Sequence, residues 1–199
     1  MKKLLLILFA GISFATANAQ FQFGVKAGAN FSTLSDDQGY SARTQFNFNA
    51  GVFAKLPIAR FVSFQPELVY SGQGARYNDG AGGTGAEHIN YFNVPLLVKF
   101  AHRSGFFFET GPQIGFLLSA KDKDQGFSAD LKSQVNSADF SWVFGFGFKI
   151  PESPVGVDFR YNAGLSNIDN NSVSQDNATI RNDVFQIGLT YVLFSTSRR

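Results

Sequence analysis

The sequence predicts an all-β fold, an eight-stranded antiparallel up-and-down transmembrane β-barrel, and three observations lead to this prediction. First, the chain has 24 Phe among 199 residues, yet its mean hydropathy is only −0.04. Second, apolar and polar residues alternate along eight segments, which is the pattern of strands with one apolar face. Third, the connections between the segments are alternately short and long, as in barrels that cross an outer membrane.

The start of the chain predicts export. The stretch "MKKLLLILFAGISFATANAQ" has a basic beginning, an apolar run over 4–15 and an Ala-Asn-Ala pattern at 17–19. These are the features of a Sec-type signal peptide, and the apolar run is too short for a membrane anchor. We therefore expect residues 1–19 to be a cleaved signal peptide and residues 20–199 to form one outer-membrane β-barrel domain. The absence of Cys excludes disulfides and thiol chemistry.

Each of the first four predicted strands, 21–31, 45–56, 61–76 and 89–101, has an apolar face of period two. In order, these faces comprise Phe21, Phe23, Val25, Ala27, Ala29 and Phe31; Phe46, Phe48, Ala50, Val52, Ala54 and Leu56; Val62, Phe64, Leu68 and Tyr70; and Phe92, Val94, Leu96, Val98 and Phe100. Phe53 breaks the pattern, because it lies on the polar face of the second segment.

The last four predicted strands, 106–121, 140–150, 155–166 and 182–194, repeat the pattern. Their apolar faces comprise Phe108, Ile114, Phe116 and Leu118; Phe140, Trp142, Phe144, Phe146, Phe148 and Ile150; Val155, Val157, Phe159, Tyr161 and Leu165; and Phe185, Ile187, Leu189, Tyr191 and Leu193. Each segment has the length of a tilted membrane-crossing strand, about 9–11 residues, or is somewhat longer.

The connections predict the direction of the barrel. The short turns are "PIAR" at 57–60, "HRSG" at 102–105 and "PESP" at 151–154. The long, polar connections are 32–44, 77–87, 122–137 and 168–181. We expect the short turns and both chain ends to be periplasmic and the long loops to face outward.

The glycines distinguish this prediction from a soluble barrel of lipocalin type, whose apolar face would point inward. Ten of the 20 Gly lie on the polar face: Gly24, Gly28, Gly51, Gly111, Gly115, Gly145, Gly147, Gly156, Gly164 and Gly188. Gly weakens a strand, so a water-facing exterior gives no reason to place it there. The narrow interior of an eight-stranded barrel needs such small residues, and so many rings would overfill it. The rings should therefore face lipid.

Closure is expected because hydrocarbon offers no hydrogen-bond partner to an open sheet edge. The eighth strand should thus pair with the first. Three prolines within strands, Pro66, Pro95 and Pro112, lack a backbone donor. We expect them to mark bulges or register irregularities.

Several stretches occur in the order found in a known family. They are "FQPELVYSGQGA" (64–75), "YFNVPLLVKF" (91–100), "GPQIGFLLSAK" (111–121), "DFSWVFGFGFKI" (139–150) and "RYNAGLSNI" (160–168). Together they resemble the PorT-like outer membrane β-barrel family of Gram-negative bacteria over nearly the whole mature chain. The resemblance implies an integral outer-membrane barrel, usually of unassigned activity. One branch of that family is linked to protein secretion.

The polar face carries a set of ionisable residues that should line the lumen. They are Lys26, Lys55, Glu67, Lys99, Glu109, Lys149, Asp158 and Arg160. Glu67, Lys99 and Glu109 lie on consecutive strands and predict a Glu–Lys–Glu cluster. One interpretation is a selectivity lining or proton path, and the other is a structural plug of paired charges. The plug is favoured, because eight strands enclose only enough space for side chains.

No catalytic, cofactor-binding or metal site is predicted. A lipid-modifying barrel enzyme would need a His with Ser or an acid at the outer rim. His88 has Glu87 beside it and Asp79 nearby in sequence, but no spacing ties them to a Ser. His102 lies in the turn "HRSG" and is expected to be solvated.

The sequence thus predicts a structural or surface-interaction component of the outer membrane. The alternatives are passage of small or hydrophobic solutes, a secretion-associated barrel and a rim enzyme. Expected partners are outer-membrane lipid, the barrel assembly machinery during biogenesis and an unidentified protein at the outer loops. A net charge of only +2 argues against nucleic acid.

Overall fold

The fold consists of antiparallel strands throughout the residues that the computed structural model describes, which are 21–36, 42–78, 84–124, 127–170 and 179–196. The predicted signal peptide lies outside these residues. The strands are β1 (Gln22–Asp36), β2 (Arg43–Ala59), β3 (Val62–Asn78), β4 (Thr84–Ala101), β5 (Phe106–Asp124), β6 (Phe127–Asp130), β7 (Ala138–Lys149), β8 (Val155–Gly164) and β9 (Ile180–Ser195). No helix among the described residues is long and apolar enough to cross a membrane.

Eight of the strands close into a ring. Sequential strands pair from β1 to β5, β5 pairs with β7, and β7, β8 and β9 continue the ring. β9 then pairs with β1, where Gly28 lies opposite Gly188 and Phe31 lies opposite Phe185. The short strand β6 pairs only with β5 and is not part of the ring. The predicted eight-stranded antiparallel barrel, closed by its first and last strands, is therefore confirmed.

The strands extend further into the predicted long loops than the alternation indicates. β3 and β4 remain paired up to Asn78 and Thr84, so most of the predicted loop 77–87 is strand. The predicted loop 122–137 is also wrong in part, because Lys121 to Asp124 pair with β6. Beyond the apolar band a strand needs backbone pairing but no apolar face. Period-two hydrophobicity therefore ends before the strand does.

The short turns are close to their predicted positions. The turn at 102–105 lies between β4 and β5 as expected. The stretch 57–60 is largely strand instead, since β2 continues to Ala59 and only residues 60 and 61 form the turn. Pro57 can join β2 at this point because the β2–β3 register shifts between Pro57 and Ala59.

The prediction that prolines mark register irregularities is wrong. Pro66 lies opposite Leu96, Pro95 opposite Gln113 and Pro112 opposite Trp142, without a shift of register at these positions. The shifts lie elsewhere in the ring, between Phe23 and Gly24, Thr44 and Asn49, Pro57 and Ala59, and Asn90 and Tyr91. A missing N–H removes one ladder hydrogen bond but does not insert a residue, so the register is preserved.

The two faces of the ring are those that the alternation predicts. On β7, the side chains of Phe144 and Phe146 are 49% and 61% exposed, whereas Val143 is fully buried. A Cβ atom added to Gly145 would contact the side chains of Arg160 and Glu109, which places Gly145 inside the barrel. The exterior is consequently apolar and aromatic, and the interior is polar.

Candidate functional site

The lumen holds an ion-pair network built around Arg160 of β8. Its Nη1 and Nη2 donate to Glu67 Oε2 and Oε1 on β3 at 2.7 and 2.8 Å, and its Nε donates to Glu109 Oε1 on β5 at 2.6 Å. The two-pronged contact with Glu67 uses the fork geometry that only a guanidinium provides. Arg160 thus connects three strands across the interior.

Two lysines and one further carboxylate complete the network. Lys26 Nζ lies 3.4 Å from Glu67 Oε2 and 3.7 Å from Asp158 Oδ1. Lys99 Nζ lies 3.2 Å from Glu109 Oε2, and Asp158 Oδ1 lies 3.1 Å from Arg160 Nε. With Arg160, three cations face three carboxylates, so the network is electrically balanced.

All six side chains of this network are buried. Removing a charge from water is costly, and only close pairing with good hydrogen bonds compensates for that cost. Gln65 contributes further bonds, since its Nε2 donates to Glu67 Oε1 at 2.7 Å and its Oε1 lies 3.5 Å from Lys99 Nζ. The network fills the lumen at this level of the barrel.

Six of the eight residues predicted to line the lumen belong to this network. The predicted Glu–Lys–Glu cluster is present only in part, because Lys99 pairs with Glu109 while Glu67 pairs with Arg160 and Lys26. The remaining two, Lys55 and Lys149, are half-buried and line a pocket at the short-turn end.

A layer of amide and hydroxyl side chains lies on the long-loop side of the ion pairs. Asn30 Nδ2 donates to Ser71 Oγ at 2.9 Å, and Asn49 Nδ2 donates to Asn30 Oδ1 at 2.6 Å. Gln73 Nε2 donates to Ser71 Oγ at 2.9 Å, and Asn182 Nδ2 donates to Gln73 Oε1. These bonds join β1, β2, β3 and β9, so neutral polar groups also span the interior.

A cluster of apolar side chains lies at the long-loop end of the barrel. Ile89, Tyr91, Ala120 and Ile168 form a buried cluster. The segments that follow β6 and β8 contribute to it through Leu131, Val135 and Ile168, and a bridge between Val135 and Asp169 joins the two segments. The folded connections therefore place apolar side chains over the polar interior at this end.

Neither histidine has the surroundings of a catalytic base in the described contacts. His88 Nδ1 lies 2.9 Å from the side-chain amide of Gln45. His102 Nδ1 lies 2.8 Å from Ser104 Oγ in an exposed turn, as predicted for a solvated residue. Among the described residues, no group of three or more His, Cys, Asp or Glu side chains is placed to hold a metal ion.

The sequence did not predict the amide layer, the apolar cluster or the inward ring of Phe107, and it placed Phe53 on the polar face without assigning it a role. The amide layer is made of residues that also occur in loops, so composition alone does not identify it. Of these two rings, only Phe53 is recognisable in the sequence as an exception to the alternation of apolar and polar residues. Such an exception is a signal that a lumen position is occupied by an aromatic side chain.

A closed, antiparallel eight-stranded ring with an aromatic exterior and a paired-charge interior defines the class of transmembrane β-barrels. Residues 13–170 match the family described as outer membrane protein beta-barrel domain. The chain belongs to that family and is an outer-membrane β-barrel protein.

Two solved structures are similar to the barrel. Neisserial surface protein A is 14% identical, with a TM-score of 0.53 and coverage of 85% of this chain and 96% of that one. Ail, the attachment invasion locus protein of Yersinia pestis, in complex with the heparin analogue sucrose octasulfate, is 15% identical, with a TM-score of 0.50 and coverage of 87% and 99%. At this identity the likeness concerns the fold. No curated protein sequence matches the chain significantly.

Proposed function

We propose that the protein is a structural and surface-interaction component of the outer membrane whose lumen does not pass solutes. The observation that carries this proposal is the ion-pair network of Lys26, Glu67, Lys99, Glu109, Asp158 and Arg160. Side chains from β1, β3, β4, β5 and β8 meet there, and the amide layer and the apolar cluster lie beyond it. Three successive layers of side chains therefore occupy the lumen. A partner would contact the barrel at the connections of its long-loop end.

The other hypotheses find less support in the described contacts. A solute passage requires an open path, and the layers of paired side chains among the described residues argue against one. A rim enzyme requires a nucleophile beside a base, and His88 Nδ1 contacts the side-chain amide of Gln45. A secretion-associated role and membership of the PorT-like branch are hypotheses from sequence resemblance, and the cleaved signal peptide is a hypothesis from the residues at the start of the chain.

The proposed partners follow from the two surfaces of the barrel. Exposed rings such as Phe144 and Phe146 suit outer-membrane lipid, because each buries apolar area in hydrocarbon. The barrel assembly machinery would act during biogenesis, and an unidentified protein would bind at the long-loop end. Ail is named for attachment and invasion, and the present barrel shares its fold at low identity.

Purified barrel reconstituted in planar bilayers is expected to show no steady conductance, because the lumen is filled with paired charges and apolar side chains. The measurement is single-channel current at fixed voltage. Protein-free bilayers with the same detergent serve as the control. A stable current of large amplitude would show that the lumen is open and would overturn the proposed function.

Epitope tags inserted at 79–83, between β3 and β4, or at 125–126, between β5 and β6, are expected to bind antibody on intact cells. Tags at 102–105 or 151–154 should become reachable only after the outer membrane is permeabilised. The reason is that both sites follow strands that extend on the side of the long connections, which face outward in such barrels, whereas the short turns are periplasmic. If antibody bound intact cells only at the tags in 102–105 and 151–154, the topology would be the reverse of the expected one.

A further inference from the structure

A pocket of about 200 Å³ opens at the short-turn end of the barrel. Its floor contains the inward-facing rings of Phe53 and Phe107, which are only 4% and 7% exposed. Phe53 lies beside Glu67 in the β2–β3 register, and Lys99 Nζ is 3.4 Å from the centre of the Phe107 ring. The two rings therefore lie beside the ion-pair network, and Lys99 of that network also lines the pocket.

Glycines on neighbouring strands provide the space for these rings. A Cβ atom added to Gly24 would collide with the ring of Phe53, and one added to Gly147 would collide with the ring of Phe107. The apolar floor is thus a built feature of the interior, with two glycines matched to two aromatic side chains.

The charges around the pocket are unbalanced, in contrast to the network below it. Among the described residues, its lining includes four cations, Lys55, Lys99, Arg103 and Lys149, and no carboxylate. Lys99 is compensated by Glu109 at 3.2 Å, and Lys149 Nζ donates only to the backbone oxygen of Ser153 at 3.0 Å. The lining therefore carries excess positive charge.

The charge of Lys55 in particular is not compensated among the described residues. It is half-buried, and within the described part of the chain it has neither a hydrogen bond nor an ion pair. Lys99 and Lys149 each repel its ammonium group more strongly than Glu109 attracts it. A partly desolvated cation among like charges gains free energy from a bound anion.

We propose that this pocket binds a small organic anion. Its phosphate or carboxylate group is held by Lys55 and Lys149, and its apolar part packs against Phe53 and Phe107. The anion is either a soluble periplasmic compound or the headgroup phosphate of an inner-leaflet lipid. The site does not require conduction, because its lining belongs to the short-turn end and most of the ion-pair network lies further inside the barrel.

The test uses phenyl phosphate as the probe and calorimetric titration of the full mature chain in non-ionic micelles. Phenyl phosphate should bind more tightly than either inorganic phosphate or phenol, because only it offers both an anion and a ring. A charge-assisted hydrogen bond contributes enough that Lys55→Gln should weaken binding roughly 10-fold or more. Raised salt should weaken binding in the same direction.

Lys121→Gln is the matched control, since Lys121 is an exposed lysine at the opposite end of β5. It should leave the affinity unchanged, and Lys149→Gln gives a second variant of the site. Circular dichroism verifies that each variant is folded. Equal affinities for Lys55→Gln and Lys121→Gln, or equal binding of phenyl phosphate and inorganic phosphate, would overturn the proposal.

Nanodiscs distinguish the two sources of the anion. If added phosphatidylglycerol weakens phenyl phosphate binding to the wild type, the headgroup competes for the pocket and the lipid is the occupant. If it does not, the occupant is a soluble anion. Absence of phenyl phosphate binding in nanodiscs without anionic lipid would exclude the site in either form.

Discussion

Replacing Arg160 by Met is expected to destabilise the folded barrel by about 3–5 kcal/mol, the usual cost of removing one partner from a buried ion pair. The substitution leaves two lysines facing three carboxylates, and Glu67 loses both hydrogen bonds of the guanidinium fork. Glu67 and Glu109 would then be buried charges without adequate compensation. The measurement is a urea titration of folding into micelles or bilayers.

Arg181→Met is the matched control, because Arg181 is exposed at the long-loop end of β9. It should change the free energy of unfolding by no more than about 0.5 kcal/mol, as surface substitutions usually do. Adding Glu67→Gln to Arg160→Met should recover part of the loss, since it removes one uncompensated charge. If Arg160→Met and Arg181→Met have the same effect, the network does not stabilise the barrel.

Phe144→Arg is expected to destabilise the barrel by about 2–4 kcal/mol, the scale for a cation on the lipid face near the midplane. Phe144 lies near the middle of β7, and its ring is exposed on the outside of the barrel. The measurement is folding into bilayers, where the surroundings of the ring are hydrocarbon. Phe144→Leu is the control, because it keeps an apolar side chain and should cost much less.

The neighbouring substitution Gly145→Arg tests which face of β7 points into the lumen and which faces lipid. A Cβ at this position would lie 3.0 Å from the Cγ atoms of both Arg160 and Glu109, so a larger side chain must displace the ion pair. Gly145→Arg should therefore also be destabilising, through crowding of the lumen. A silent Gly145→Arg beside a Phe144→Arg that cannot fold would reverse the two faces and exclude a lipid-facing exterior.

The apolar exterior and the charged interior depend on each other. Rings occupy the outside because hydrocarbon accepts them, and this leaves the narrow interior for Gly and for polar side chains. Polar groups inside must then find partners among themselves, because an unpaired buried charge is costly. The arrangement around Arg160 pairs three cations with three carboxylates, although neither oxygen of Asp158 accepts a hydrogen bond from the described residues.

The sequence by itself determined the number of ring strands, their antiparallel succession and the face of most side chains. These features can be recognised from short stretches of sequence. A strand with one lipid-facing side alternates apolar and polar residues over about ten positions. The sequence also identified every charged member of the lumen network. It did not determine where strands end in water, because backbone pairing leaves no hydrophobic pattern there.

Only the tertiary structure decided which charges meet. Glu67 and Arg160 are 93 residues apart in sequence and lie on β3 and β8, which are not neighbours in the ring. Their contact depends on the stagger of all the strands around the barrel, to which every register shift contributes. The same long-range geometry turns Phe53 from an exception in the alternation into part of the floor of a basic pocket, and leaves Lys55 there without an ion-pair partner among the described residues.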